Sequence, residues 1–166
     1  MERYRQTVTA CHNFIREFGS SYRNLFFYGS VGAGKTFLSN CIARELIETG
    51  NLVLYFSASG LIDTLSGKSR DELYTISQDL YQCDLLVVDD LGTEYTTAYV
   101  VSQLFSCLNE RHLRRKPTLI STNLSLEDLR NKYSERIFSR ITSNYDMYKI
   151  NGPDIRMYLK TMQNRK

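Results

Sequence analysis

No apolar run in this sequence approaches the roughly 18 residues that a membrane-spanning helix needs. The opening residues Met1-Glu2-Arg3-Tyr4-Arg5 are not followed by an apolar core, so no secretory leader is expected. Only two prolines occur in 166 residues, and no low-complexity tract or internal repeat is apparent. The four cysteines, Cys11, Cys41, Cys83 and Cys107, include no C-x-x-C pair. They read as buried free thiols of a protein in the reducing cytoplasm. His12 and His112 stand apart from Cys, Asp or Glu at ligand spacing, so no protein-only metal site is expected. An excess of one charge is also missing. The net charge of +3 permits nucleic-acid binding without arguing for it, because the usual footprint is a stronger basic patch.

What is present is the composition of a globular domain, 42% hydrophobic and 23% charged. The length suits a single domain with a sizeable core. We expect an N-terminal helix and linker over 1–20 and one core over 21–166. Strand and helix patterns alternate along that core. Strands are expected at Leu25–Tyr28, Leu52–Phe56, Leu85–Val88, Thr118–Ser121 and Tyr145–Ile150. Helices are expected at 2–18, Phe37–Glu48, Ser57–Leu65, Asp71–Tyr81, Val100–Leu113, Leu126–Lys132 and Glu135–Ile141. A final helix is expected to open at Pro153. Leu85-Leu86-Val87-Val88 is uninterruptedly apolar, as a parallel strand covered on both faces should be. Repeated β-α units of this kind predict an open parallel sheet between two helical layers, with ligands at the carboxyl ends of its strands.

Gly29-Ser30-Val31-Gly32-Ala33-Gly34-Lys35-Thr36 is a complete G-x-x-x-x-G-K-[ST] loop between an expected strand and an expected helix. Such a turn aims backbone N–H groups inward, and the helix N-terminus adds partial positive charge, so a polyphosphate has a cradle. Lys35 can reach the β- and γ-phosphates, and the Thr36 hydroxyl can ligate Mg²⁺. Phe37, at the first helical turn, completes the expected nucleotide-binding set.

Asp89 and Asp90 end the buried run, an apolar strand finishing in acid, which is a Walker B pattern. Asp89 is expected at Mg²⁺ and Asp90 at the attacking water. Asn123, just past Thr118–Ser121, could bond both phosphate and water. It could equally serve turn chemistry ahead of the Ser125/Asp128 capping box. Arg136 and Arg140 lie four apart, on one helix face. They are either a solvated face or the source of an arginine for a neighbour's γ-phosphate. Arg156 either lies near the nucleotide or is a helix-surface residue.

Taken in order, these stretches resemble the AAA+ ATPases, and most closely the bacterial replicative helicase loaders of the DnaC/DnaI type and the related IstB-type transposition helpers. The matching stretches are Gly29–Thr36, Leu-Leu-Val-Val-Asp-Asp-Leu-Gly at 85–92, Ser121-Thr122-Asn123-Leu124, Glu135–Ile141 and Gly152–Arg156. The resemblance implies a P-loop NTPase fold, three α/β/α layers around a central parallel five-stranded sheet. It implies ATP and Mg²⁺ as cofactors, Lys35 and Thr36 as Walker A, Asp89 and Asp90 as Walker B, and Asn123 as sensor 1. Arg140 becomes the trans-acting arginine finger, hence self-association through its interface, and Arg156 a sensor-2-like residue. The implied partners are a replicative helicase and single-stranded DNA.

Two departures shape the expectation. Most AAA+ proteins end Walker B in Asp-Glu, and the shorter Asp90 implies slow, switch-like hydrolysis. Ten residues follow Arg156, too few for the C-terminal helical lid of most AAA+ proteins, so a lidless core is expected. The rival functions are a transposition-helper ATPase and an ATP-dependent binding module with vestigial hydrolysis. A small-molecule kinase is disfavoured by the Asp-Asp ending and the Asn123/Arg140 pair.

Two weaker features remain. Arg111, His112, Arg114, Arg115 and Lys116 form a basic knot that either complements a helix C-terminus or contacts single-stranded DNA. Tyr55, Phe56, Tyr74 and Tyr81 serve either in packing or in base stacking.

Overall fold

The computed structural model describes residues 2–95 and 97–155, with side chains from Tyr4 onward. Five strands form one sheet: β1 (Leu25–Tyr28), β2 (Val53–Ser57), β3 (Leu85–Leu91), β4 (Thr118–Thr122) and β5 (Asp146–Lys149). Every pairing is parallel and the spatial order is β2-β3-β4-β1-β5. Seven helices are described: α1 (Glu2–Arg16), α2 (Lys35–Glu48), α3 (Ala58–Leu65), α4 (Arg70–Gln82), α5 (Ala98–Leu113), α6 (Leu126–Lys132) and α7 (Glu135–Asn144). This is the three-layer α/β/α fold. The helix expected to open at Pro153 lies mostly outside the described residues; Ile155 is its one described helical residue.

Strand alternation explains the two helical layers. In β3, Leu86 and Val88 join Phe26 and Ile120 in a cluster covered by α3 to α7. Leu85 and Val87 join Leu25, Phe27 and Leu119 in a second cluster covered by α1 and α2. All four β3 side chains are fully buried. Each contributes about 1.5–3 kcal/mol. Helix starts are fixed locally: the Ser57, Ser69, Thr97, Ser125 and Ser134 side chains each accept a backbone N–H of the first turn. Ser69 with Glu72 makes the complete capping box of α4.

The order places β4 between β3 and β1. The turn after β4 therefore faces both the β1–α2 turn and the end of β3. Strand β3 is longer than its apolar run and keeps Asp89 and Asp90 within it. Its register with β4 shifts between Val88 and Leu91, and Asp90 takes a left-handed φ of 56°. Aspartate tolerates that conformation better than a branched residue would.

The cysteine reading needs one correction. Cys11, Cys83 and Cys107 are buried, but Cys41 is exposed on α2. Its neighbours Ile42 and Ala43 face the core instead. Burial pushes the Cys11 thiol up to about 11 and Cys107 to about 12, so both are protonated at neutral pH.

Candidate functional site: a phosphate loop facing two aspartates

The β1–α2 turn is shaped from two sides. Gly29 and Gly32 have φ of 127° and 72°. A Cβ on Gly29 would come 2.6 Å from Asn151 Oδ1, and one on Gly32 would run into the Asp154 carboxylate. The Ile155 amide donates to the Gly32 carbonyl at 3.1 Å. The segment after β5 thus packs against the outside of the loop, a constraint additional to the phosphate approach that glycine allows. Lys35 is 4% exposed, and its ammonium donates to the carbonyls of Gly29 at 2.9 Å and Ser30 at 2.7 Å.

Opposite the loop, the Thr36 hydroxyl donates to Asp89 Oδ1 at 3.3 Å. Ser121 on β4 donates its hydroxyl to the same oxygen and accepts the Asp90 amide at 3.0 Å. Ser121 thereby ties the two aspartates to β4, a role its place in an apolar strand did not signal. The Asn123 amide donates to Asp90 Oδ1 at 3.0 Å. Turn chemistry at this point belongs to its neighbours: Thr122 donates to the Leu91 carbonyl, and Ser125 caps α6.

A cleft of about 650 Å³ opens between these groups. Its polar wall includes Gly32, Gly34, Lys35, Thr36, Asp90 and Asn123, and its apolar wall is Tyr4, Val31, Phe37 and Ile155. The volume is that of a small-molecule site. Val31 and Phe37 are 59% and 64% exposed, a high exposure for apolar side chains beside a polar cleft. Tyr4 and Ile155 come from the two ends of the described chain, and neither was legible as a site residue.

The donor set fits a metal–triphosphate. Thr36 and Asp89 present a hydroxyl and a carboxylate to one point, the hard oxygen ligands that Mg²⁺ prefers. Tyr55 lies beside Asp89, and its buried hydroxyl has no hydrogen-bond partner among the described residues. Burial, followed by the Asp89 charge, raises its pKa above the usual tyrosine value. No protein-only cluster of three or more His, Cys, Asp or Glu is found among the described residues.

Behind Asp89 and Asp90 lies an arrangement the sequence did not disclose. Glu94 is 5% exposed; it accepts the Gly92 amide at 3.0 Å and the Tyr133 hydroxyl. Lys132 donates to the Gly92 carbonyl at 2.6 Å and the Glu94 carbonyl at 3.1 Å. The α6–α7 joint therefore holds the loop that follows Asp90. Burial and the Glu94 charge keep the Tyr133 phenol well above its ordinary pKa.

Arg140 does not line this cleft. It lines a separate groove of about 620 Å³ with Arg136, Ser139 and Ser143, and donates to Asn109 Oδ1 on α5 at 2.5 Å. Arg156 lies outside the described residues.

The basic knot is not one patch. Arg111 is fully buried. Its guanidinium reaches the Leu80, Cys83 and Pro117 carbonyls, the Cys83 sulfur and the Thr118 hydroxyl. Arg114 lies over the Tyr81 ring and near Glu110, Arg115 lies over Tyr22, and Lys116 pairs with Asp84 at 3.1 Å. All sit at the amino end of β4, away from the cleft. Phe56 and Tyr81 pack against the core, while Tyr74 is 68% exposed.

Residues 5–162 match the family described as IstB-like ATP binding protein. The replicative helicase loader DnaC of Escherichia coli strain K12 is 25% identical over 156 residues, covering 86% of this chain and 62% of that protein. The chain thus spans less than two thirds of that relative's length. A crystal structure of the DnaC helicase loader superposes with a TM-score of 0.75 at 25% identity, covering 90% of each chain. AMPPCP-bound DnaA from Aquifex aeolicus has a TM-score of 0.77 at 23% identity, over 99% of this chain and 52% of that one, and so shares the fold. Its fold, its phosphate loop and this match over nearly the whole length place the chain in the IstB-like ATP-binding protein family, the DnaC and IstB type of AAA+ ATPase.

Proposed function

We propose that this chain is a Mg-ATP-binding AAA+ ATPase of slow turnover that works in an assembly, and that its task is loading a replicative helicase onto single-stranded DNA. One observation carries the enzymatic part. Lys35, Thr36, Asp89, Asp90 and Asn123 gather at the ends of three adjacent strands around one cleft, with Thr36, Asp89, Ser121, Asp90 and Asn123 joined by a chain of hydrogen bonds. The loader assignment rests on the likeness to the DnaC loaders.

In this reading Gly29 to Phe37 hold the triphosphate, Lys35 turns its ammonium from the loop carbonyls to the β- and γ-phosphates, and Thr36 and Asp89 hold Mg²⁺. The metal, when bound, neutralises charge that develops on the transferring phosphoryl group. Asp90 orients and accepts a proton from the attacking water, and Asn123 fixes the Asp90 carboxylate. Asp90 is one methylene shorter than the glutamate common in AAA+ proteins, so it holds that water less closely, which supports slow hydrolysis. Arg140 faces away from its own cleft and serves the nucleotide of an adjacent subunit. Arg156, which lies outside the described residues, contacts the nucleotide.

ATP affinity and phosphate release test the assignment. Lys35→Ala weakens binding, because a point charge at the phosphates is lost. Asp90→Asn binds ATP and fails to turn it over. Arg140→Ala binds ATP as the wild type does, fails to hydrolyse it, and regains activity when mixed with Asp90→Asn, which supplies an intact arginine to an intact cleft. Unchanged turnover in Asp90→Asn removes it as the base. No recovery in a mixture whose subunits demonstrably associate removes Arg140 as a trans residue. Capture of a replicative helicase by the chain, with ATP and without, tests the loader assignment.

A further inference from the structure

The Tyr55 hydroxyl stands out among the buried polar atoms. Among the described residues it is the one buried side-chain nitrogen or oxygen without a hydrogen-bond partner. Buried polar groups are nearly always satisfied, so an exception marks strain or an absent ligand or water. The position tells which. Tyr55 stands on β2 opposite Val87, and Ser57 stands opposite Asp89. Tyr55 and Asp89 are therefore diagonal neighbours, within reach of a long side chain on the same face of the sheet. The ring packs against the cluster under α1 and α2, the side from which Thr36 reaches Asp89. Asp89 lies close enough to act on the hydroxyl by charge and as a hydrogen-bond acceptor, though not in a hydrogen bond of full geometry, and Asp90 acts by charge. Both donors that reach Asp89, Thr36 and Ser121, use Oδ1. Oδ2 receives neither of them.

We propose that the Tyr55 hydroxyl completes the Mg²⁺ site, holding a water of the metal's shell against Asp89. The inference rests on the Mg-ATP reading above and adds a positioning residue from β2, a strand that carries none of the motif residues. Mg²⁺ keeps several of its waters when bound, so a site for it needs groups that orient water as well as groups that touch the ion. A phenol can donate to a carboxylate and accept from a water, which suits that place.

Tyr55→Phe separates this role from a packing role. The ring is kept, so the cluster is kept. Without metal or nucleotide the hydroxyl is a burden, and its removal raises the melting temperature in EDTA by about 2–4 °C. With a fluorescent ATP analogue, the Mg²⁺ concentration at half-maximal binding rises about tenfold in Tyr55→Phe, the low end for an outer-shell partner. Binding of the analogue in EDTA is equal in the two proteins. An unchanged Mg²⁺ midpoint overturns the proposal. So does a lower melting temperature, which shows that the hydroxyl already has a protein or water partner. Wild-type protein that binds the analogue without regard to Mg²⁺ overturns the cofactor reading itself, a result distinct from the other two.

Discussion

The two ends of the sheet handle charge in opposite ways. At the amino end, every cation of the knot is matched within the molecule: Arg111 to carbonyls, Arg114 and Arg115 to rings, Lys116 to Asp84. At the carboxyl end, two adjacent carboxylates border the same cleft as the Lys35 ammonium, which donates to the Gly29 and Ser30 carbonyls, and the Tyr55 hydroxyl nearby has no hydrogen-bond partner among the described residues. Both ends are rich in polar groups. What separates them is where the groups lie: those at the amino end are enclosed by their partners, and those at the carboxyl end border an open cleft. Charge enclosed by its partners is committed to the fold; charge that borders a cleft is available for a ligand.

The largest expected effect breaks the satisfied end. Arg111→Leu leaves the Leu80, Cys83 and Pro117 carbonyls without their donor while roughly filling the space. Loss of one partner of a buried charged network costs about 3–5 kcal/mol. For a chain of this size that is a fall in melting temperature of about 6–20 °C. Thermal unfolding followed by circular dichroism reads it directly. A fall under about 2 °C would mean that the carbonyls find water and that Arg111 is not structural.

Much of the contrast was legible beforehand, and the limit has a physical cause. Spacing along the chain carries the phosphate loop and the apolar run ending in Asp89 and Asp90, because one β-α turn and one strand end need only local residues. It carries Arg136 and Arg140 as one face for the same reason. It cannot carry Ser121, whose two hydrogen bonds depend on β4 lying beside β3, nor Tyr55, whose neighbour is set by β2–β3 register. Glu94 and Tyr133, 39 positions apart, meet only through the α6–α7 joint. Arg111 shows the converse error. In sequence it is one of five basic residues at a helix end; in the fold the last turn of α5 points it inward and its neighbours outward.

The second effect sharpens the contrast at Arg140, which we propose serves the nucleotide of an adjacent subunit. Arg140 has a neutral partner, Asn109, while the acid on its own helix, Glu135, is taken by Arg130 at 2.6 Å. An amide oxygen fixes the guanidinium without cancelling its charge. A carboxylate in that place would form a charge-assisted pair and hold the arginine at home. Asn109→Asp is expected to lower kcat about tenfold, and Asn109→Ala less, with ATP affinity unchanged in both. Steady-state kinetics at concentrations where subunits associate separate kcat from KM. Equal losses in the two variants would show that only the placement of Arg140 matters; no loss in either would show that Asn109 does not position it.

The smallest expected effect returns to the amino end. Read as sequence, Arg114 and Arg115 are candidates for contacts with single-stranded DNA, and two neutralised phosphates would add roughly −1.4 to the log–log salt slope. In the fold each guanidinium lies 5.3 Å from the centre of a tyrosine ring, and Arg114 also has Glu110 at 3.4 Å. Leaving those partners offsets part of what a phosphate contact contributes. We therefore expect the double variant Arg114→Ala, Arg115→Ala to change the salt slope of single-stranded DNA binding by less than about 0.7, the share of one phosphate. Fluorescence anisotropy over a salt series measures the slope. A change near 1.4 would show that both arginines abandon their rings for the backbone, and that partners within the molecule do not keep this end of the sheet from binding nucleic acid.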